Sequence, residues 1–158
     1  MRELFLTLGL IFALSKYPLK AADQNPLVGT WKLISFQEVS KEGVTRAVFG
    51  EHPKGYVILT PEGRFIALGT SETRIAGVSD AERAELEKSM FAYTGKYRIE
   101  GDDFVINVDV SWNESWNGTE QRRHYKLQGN MLTLVNLSVL SPITGKNITA
   151  TLVWMREK

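Results

Sequence analysis

From residue 29 onward, short runs of alternating apolar and polar residues are separated by turns rich in glycine and proline. GTWKLISFQEV (29–39) is β-rich, Lys41-Glu42-Gly43 reads as a turn, and residues 44–49 as a second short strand. GYVILT (55–60) and RFIALG (64–69) flank Pro61-Glu62-Gly63, where proline and glycine occupy the positions a tight turn favours. GKYRIE (95–100), DFVINVDV (103–110), QRRHYKLQ (121–128), MLTLVNLSVL (131–140) and NITATLVWM (147–155) continue the pattern. Short strands joined in up-and-down order predict an all-β, antiparallel barrel or sandwich of about eight strands. With so few strands, closure into a barrel removes both sheet edges.

One helix is predicted to interrupt the strands. Ser79-Asp80-Ala81-Glu82 forms a capping box, and AERAELEKSMFAY (81–93) has high helix propensity. Ala81, Leu86, Met90 and Tyr93 give it an apolar stripe. The remaining positions are mostly charged, so the helix is expected to flank or plug one barrel end.

Strand parity separates inner from outer faces. In residues 103–110 the apolar set is Phe104, Ile106, Val108 and Val110, expected to face the core. Asp103, Val105, Asn107 and Asp109 then face water, unless Asn107 and Asp109 point into a partly polar cavity. In residues 121–128, Arg122, His124 and Lys126 are solvent-like, which puts Arg123 inside with Tyr125 and Leu127. A buried guanidinium is costly without a partner. Arg123 therefore requires a carboxylate or carbonyl, or an anionic ligand.

Trp31 opens the first strand, while Trp154 and Arg156 share a face at the end of the last. In a closed barrel these strands are neighbours, and Arg156 lying over an indole would latch the barrel shut.

The N-terminus differs from the rest. Arg2 precedes LFLTLGLIFAL (4–14), an apolar run too short to span a bilayer but suited to the core of a secretory signal. A cut after Ala21 divides the chain into a signal peptide (1–21) and a single domain (22–158), exported to a periplasm or secreted. Losing Arg2, Lys16, Lys20 and Glu3 turns the net charge from +1 to −1. Such a charge gives nucleic acid no bulk attraction. Cleavage also leaves no stable membrane span.

The chain has no cysteine and only two histidines, His52 and His124. A metal site, which needs three or four ligands, is not expected, nor is a nucleotide cofactor, since no phosphate-binding glycine loop is present. Asn113, Asn117, Asn136 and Asn147 lie in N-x-S/T sequons, which would matter only in a eukaryotic secretory path.

LVGTWKLISF (27–36), FGEHPKGYVILTPEGRF (49–65), residues 93–134 and the closing LVWMREK together resemble the bacterial and fungal lipocalin-like domain family. Gly29 and Trp31 match its opening motif. Gly55-Tyr56 and Thr60-Pro61-x-Gly63-Arg64 match a second signature, and Trp116-x-Gly118-Thr119-x-Gln121-x-Arg123 a third. At Ile106-Asn107 the chain departs from the family, which often carries histidine there. The resemblance implies a calycin-type barrel with a cavity open at one end.

SWNESWNG (111–118) must lie at a barrel end, because it connects two strands. If it makes a helical turn, Trp112 and Trp116 share one side. They then close over the opening or pack on the outside. The expected function is binding of a small apolar or amphipathic molecule, with Tyr56, Phe65, Tyr97, Asn107, Trp112, Trp116, Arg123 and Tyr125 as candidate contacts. The alternatives are an isomerase or cyclase using Asp109, Tyr97 or Arg123, and a cavity-free structural protein.

Overall fold

The structure is a computed structural model in which residues 25–158 are described. The apolar run and the expected cleavage point lie outside these residues. The strands are β1 (Gly29–Ser40), β2 (Thr45–Ala47), β3 (Lys54–Leu59), β4 (Arg64–Thr70), β5 (Met90–Glu100), β6 (Asp103–Ser111), β7 (Glu120–Gln128), β8 (Met131–Leu140) and β9 (Asn147–Arg156). One helix, α1 (Asp80–Lys88), lies between β4 and β5. Every pairing is antiparallel, and β9 returns to pair with β1, so that eight strands close into an up-and-down barrel. β2 is a short appendage on β1.

The floor is the end where β1 starts and β9 finishes. Trp31 is wholly buried there, and its Nε1 donates to the Leu27 carbonyl at 2.9 Å. The Arg156 guanidinium lies 4.0 Å from the Trp31 ring centre, and the two backbones are paired. Arg156 also donates to the carbonyls of Val28, at 2.7 Å, and Pro26. The latch is therefore Trp31 with Arg156 alone. Trp154, one turn of the pleat away, belongs to the interior wall.

α1 keeps the predicted capping box: Ser79 Oγ accepts from the Glu82 N–H, and the Glu82 carboxylate accepts from the Ser79 N–H. It buries no residue and flanks the barrel beside β5. The helix ends at Lys88 rather than running to Tyr93, so the expected apolar stripe does not form. Phe91, Tyr93, Gly95 and Tyr97 alternate as the buried face of β5. That placement buries three aromatic rings, which outweighs local helix propensity.

Bulges displace the simple alternation in three places. One lies opposite Thr94/Gly95, where β6 has an extra residue, and it turns Val110 outward to 63% exposure. Val110 is therefore not a core residue. A second, between Leu33 and Ser35, switches the inner set of β1 from Trp31 and Leu33 to Phe36 and Glu38. A third, between Asn136 and Val139, bends β8 near Ser138, whose φ of 51° is the only positive value at a non-glycine residue among those described.

Val105 faces outward yet is fully buried. Its cross-strand neighbours are Arg98 and Arg122, whose apolar stems can lie over it while their heads pair with carboxylates. Arg98 reaches Glu100 at 2.7 Å and Glu120 at 2.8 Å, and Arg122 reaches Glu100 at 2.7 Å. Hydrogen bonds from Arg98, then Arg122, hold the Glu100 carboxyl below its ordinary range, and Arg98 does the same for Glu120. A carboxylate depressed in the folded state adds stability above its unfolded pKa, near 4.3, and that contribution fades as pH falls through the folded value. The urea midpoint is thus expected to decline below about pH 5, less steeply in an Arg98→Gln/Arg122→Gln variant. Parallel profiles would show that the network carries no pH-dependent stability.

Candidate functional site

The barrel encloses a cavity of about 280 Å³ toward the mouth. Its wall is aromatic and aliphatic: Phe36 from β1, Phe65 from β4, Phe91 and Tyr93 from β5, and Leu152 and Trp154 from β9. The rings interlock, with Phe65 and Tyr93 centres 5.0 Å apart and Phe91 and Trp154 centres 6.4 Å apart. Burial holds the Tyr93 phenol above its ordinary pKa, against the opposing pull of the Arg123 charge.

The connection from β6 to β7 sits over this cavity. Residues Glu114–Trp116 form a single 3-10 turn, opened by Asn113 Oδ1, which accepts from the Ser115 N–H at 3.2 Å. The Trp112 N–H donates to the Ala92 carbonyl at 2.8 Å, and the Gly118 N–H returns to Val108 at 3.0 Å. Gly118, at φ 74°, allows that reversal. The tight turn brings the Trp112 and Trp116 rings edge to face, 4.8 Å apart. Trp116 meets Tyr93 at 5.3 Å. Both indoles are half-buried and line the cavity, so they roof it.

Arg123 is 5% exposed and faces the same space. One guanidinium nitrogen donates to Gln121 Oε1 at 2.6 Å, and the group lies 5.4 Å from the Tyr93 ring centre. Its Nε has no hydrogen-bond partner. No carboxylate lies within ion-pairing distance of Arg123 among the described residues.

Two polar wall residues escaped the sequence reading. Glu38 is 4% exposed, and one carboxylate oxygen accepts from Ser141 Oγ at 2.6 Å. Asn136 has a buried Oδ1 without a partner, as does the Nε1 of Trp154. With Asn136 lining the cavity, its sequon has no room for a glycan. The aromatic alternation Phe91, Tyr93, Tyr97 was the available signal for the β5 wall. No comparable signal marked Glu38, because the β1 bulge decides which way it points.

The other candidates lie elsewhere. Tyr56 is on the outer face of β3 at 42% exposure, because Gly55, Val57 and Leu59 take the inner positions. Asn107 also faces outward, across from Lys96 and Glu120. Asp109 is exposed and ion-paired with Arg64 on the outside. Tyr97 is buried at the floor, stacked on Phe104, with its hydroxyl donating to the Thr60 carbonyl at 3.1 Å. Tyr125 is half-buried below Arg123, packed on the core but away from the cavity lining. Asp109 and Tyr97 are therefore not brought together with Arg123. Among the described residues no group of three or more His, Cys, Asp or Glu side chains could hold a metal ion, and no helix is long and apolar enough to cross a membrane.

The barrel wall is incomplete on one side. The β7–β8 ladder covers only His124–Gln128 with Met131–Val135. Above it, residues 120–123 pair with β6 alone and the upper part of β8 pairs with β9 alone. Glu120, Gln121, Arg122 and Arg123 line the cavity from one side of this gap, and Asn136, Val139 and Leu140 from the other.

Among solved structures, the chain is similar to a lipocalin-like protein from Bacteroides uniformis ATCC 8492, at 15% identity and a TM-score of 0.47, over 83% of this chain and 98% of that one. It is also similar to an uncharacterized protein from Bacteroides eggerthii DSM 20697, at 16% identity and a TM-score of 0.43, over 82% and 98% respectively. No curated protein matches it significantly. Residues 28–157 match the model of the lipocalin-like domain, nearly the whole barrel, and the chain belongs to that family.

Proposed function

We propose that this protein is an exported binder that holds a small apolar or amphipathic molecule inside its barrel. The observation that carries this reading is the 280 Å³ aromatic cavity roofed by Trp112 and Trp116. Binding pockets for small molecules are mostly apolar with a few placed polar groups. Here Arg123, Asn136 and Glu38 are those groups. Taking about 30 Å³ per water-sized unit, the space suits a guest with on the order of ten non-hydrogen atoms enclosed. Isomerase or cyclase chemistry has less support, because Arg123 alone of its candidate groups faces the cavity.

Native mass spectrometry of the protein, purified without denaturation from its own source, is expected to reveal a co-purifying small molecule. Trp116→Ala should retain less of it, since the roof loses one of its two rings. A mass matching the bare polypeptide, with no thermal shift in a panel of small apolar compounds, would refute the binding reading. Export rests on the apolar run 4–14. N-terminal sequencing of the mature protein should begin near Ala22, and recovery of an intact Met1 from the cell interior would remove that part.

A further inference from the structure

Resting on the binding reading above, we infer that the guest is a compact monocarboxylate. Its charged head would sit at the fork where β7 and β8 part, against Arg123, and its apolar body against the aromatic wall.

The argument begins with register. Asn136 and Glu38 each pair with Ala150 of β9, from opposite sides. The β7–β8 ladder ends at His124 and Val135, so Arg123 and Asn136 are the next positions on either side of the fork. Arg123, Asn136, Ala150 and Glu38 thus form one row around the barrel. The row beneath is apolar, with Leu134 and Phe36 both paired to Leu152. One polar girdle therefore lies above an apolar chamber, which is the layout an amphipathic guest requires.

The unmet hydrogen-bond capacity specifies the head group. Arg123 Nε is an unpartnered donor on a guanidinium with no carboxylate near it. Across the fork in register, the unpartnered atom of Asn136 is its Oδ1, an acceptor, so the anion is held by Arg123 alone. A buried charge without a counterion is expensive, and a guanidinium fork matches a planar carboxylate with two parallel bonds. Glu38, already engaged with Ser141, sits two strands from Asn136 along the same row. Its charge would repel a second anionic group, which selects a single carboxylate over a dicarboxylate. The gap between the strands gives the head a route to water, so its full desolvation is not required.

Titration calorimetry of the protein with 2-naphthoate, 2-naphthamide and 2-naphthylmethylammonium separates charge from shape. The carboxylate is expected to bind about tenfold or more tightly than the amide, and Arg123→Gln should erase that advantage. Arg123→Lys, which keeps the charge but loses the fork, should retain part of it. Circular dichroism and melting temperature check that each variant is folded, and the three-probe comparison in the unaltered protein decides the matter if one is not. Equal binding of naphthoate and naphthamide, or an advantage that survives in a folded Arg123→Gln variant, overturns the inference while leaving the binding reading intact. Tightest binding of the ammonium overturns it too, by making Glu38 the anchor. Failure of all three probes to bind or to alter tryptophan fluorescence counts against the binding reading itself.

Discussion

Trp31→Ala is expected to lower unfolding stability by about 3–5 kcal/mol, the usual cost of deleting a fully packed aromatic side chain. For a domain of this size that corresponds to a melting temperature lower by on the order of 10 °C. Three losses coincide. The side chain is wholly buried, so its removal leaves a void at the floor. The Leu27 carbonyl loses its indole donor. Arg156 loses the ring beneath it, worth roughly 0.5–2 kcal/mol. The position also lies between β3 and β9, so the void opens beside the seam that closes the barrel. Trp31→Phe, which keeps a ring but not the N–H, should cost less. A double-mutant cycle with Arg156→Ala should return a coupling of roughly 0.5–2 kcal/mol. A Trp31→Ala protein within about 1 kcal/mol of the parent would show that the latch is decorative.

Gly95→Ala carries the second large effect, about 3 kcal/mol, toward the upper range for forcing atoms into a packed interior. A methyl group at Gly95 would meet the Asn107 carbonyl oxygen at 2.2 Å and the Ile106 side chain at 3.1 Å. The first of these is backbone and cannot rotate away. It belongs to the bulged segment where β5 and β6 change register. Gly101→Ala is the control: its φ is +60°, but nothing lies within 4 Å of the added carbon. That change should cost only about 1–2 kcal/mol for the left-handed conformation. If denaturant midpoints place the two variants level, steric crowding at the bulge is not what requires glycine at position 95.

The barrel itself could be read from the chain because turns such as Pro61-Glu62-Gly63 and Gly101-Asp102 fix strand ends, and alternation fixes their faces. Parity puts Arg123 inside for the same reason: β7 has no bulge, so the alternation carries through from Leu127. The strand connection put Trp112 and Trp116 at a barrel end but left open whether they close the opening or pack outside. The 3-10 turn and the Trp116–Tyr93 contact decide for the cavity. What parity cannot see is an inserted residue. Counting strictly from Trp31 puts Glu38 outside with Lys32 and Ile34, and the bulge before Ser35 brings it in. The same blindness put Val110 in the core. Propensity alone extends the helix too far because the residues from Met90 to Tyr93 suit either structure in isolation. Their burial against β4 and β6, a non-local contact, decides for strand.

The parting of β7 and β8 bears on how large a guest the barrel can accept. Elsewhere around the wall, swelling would stretch ladder hydrogen bonds; along this line there are none to stretch. On the proposed binding role, the resting volume would therefore bound the apolar body of a guest. The opening between Glu120 and Leu140 would face its charged head and leave that end free of the same bound.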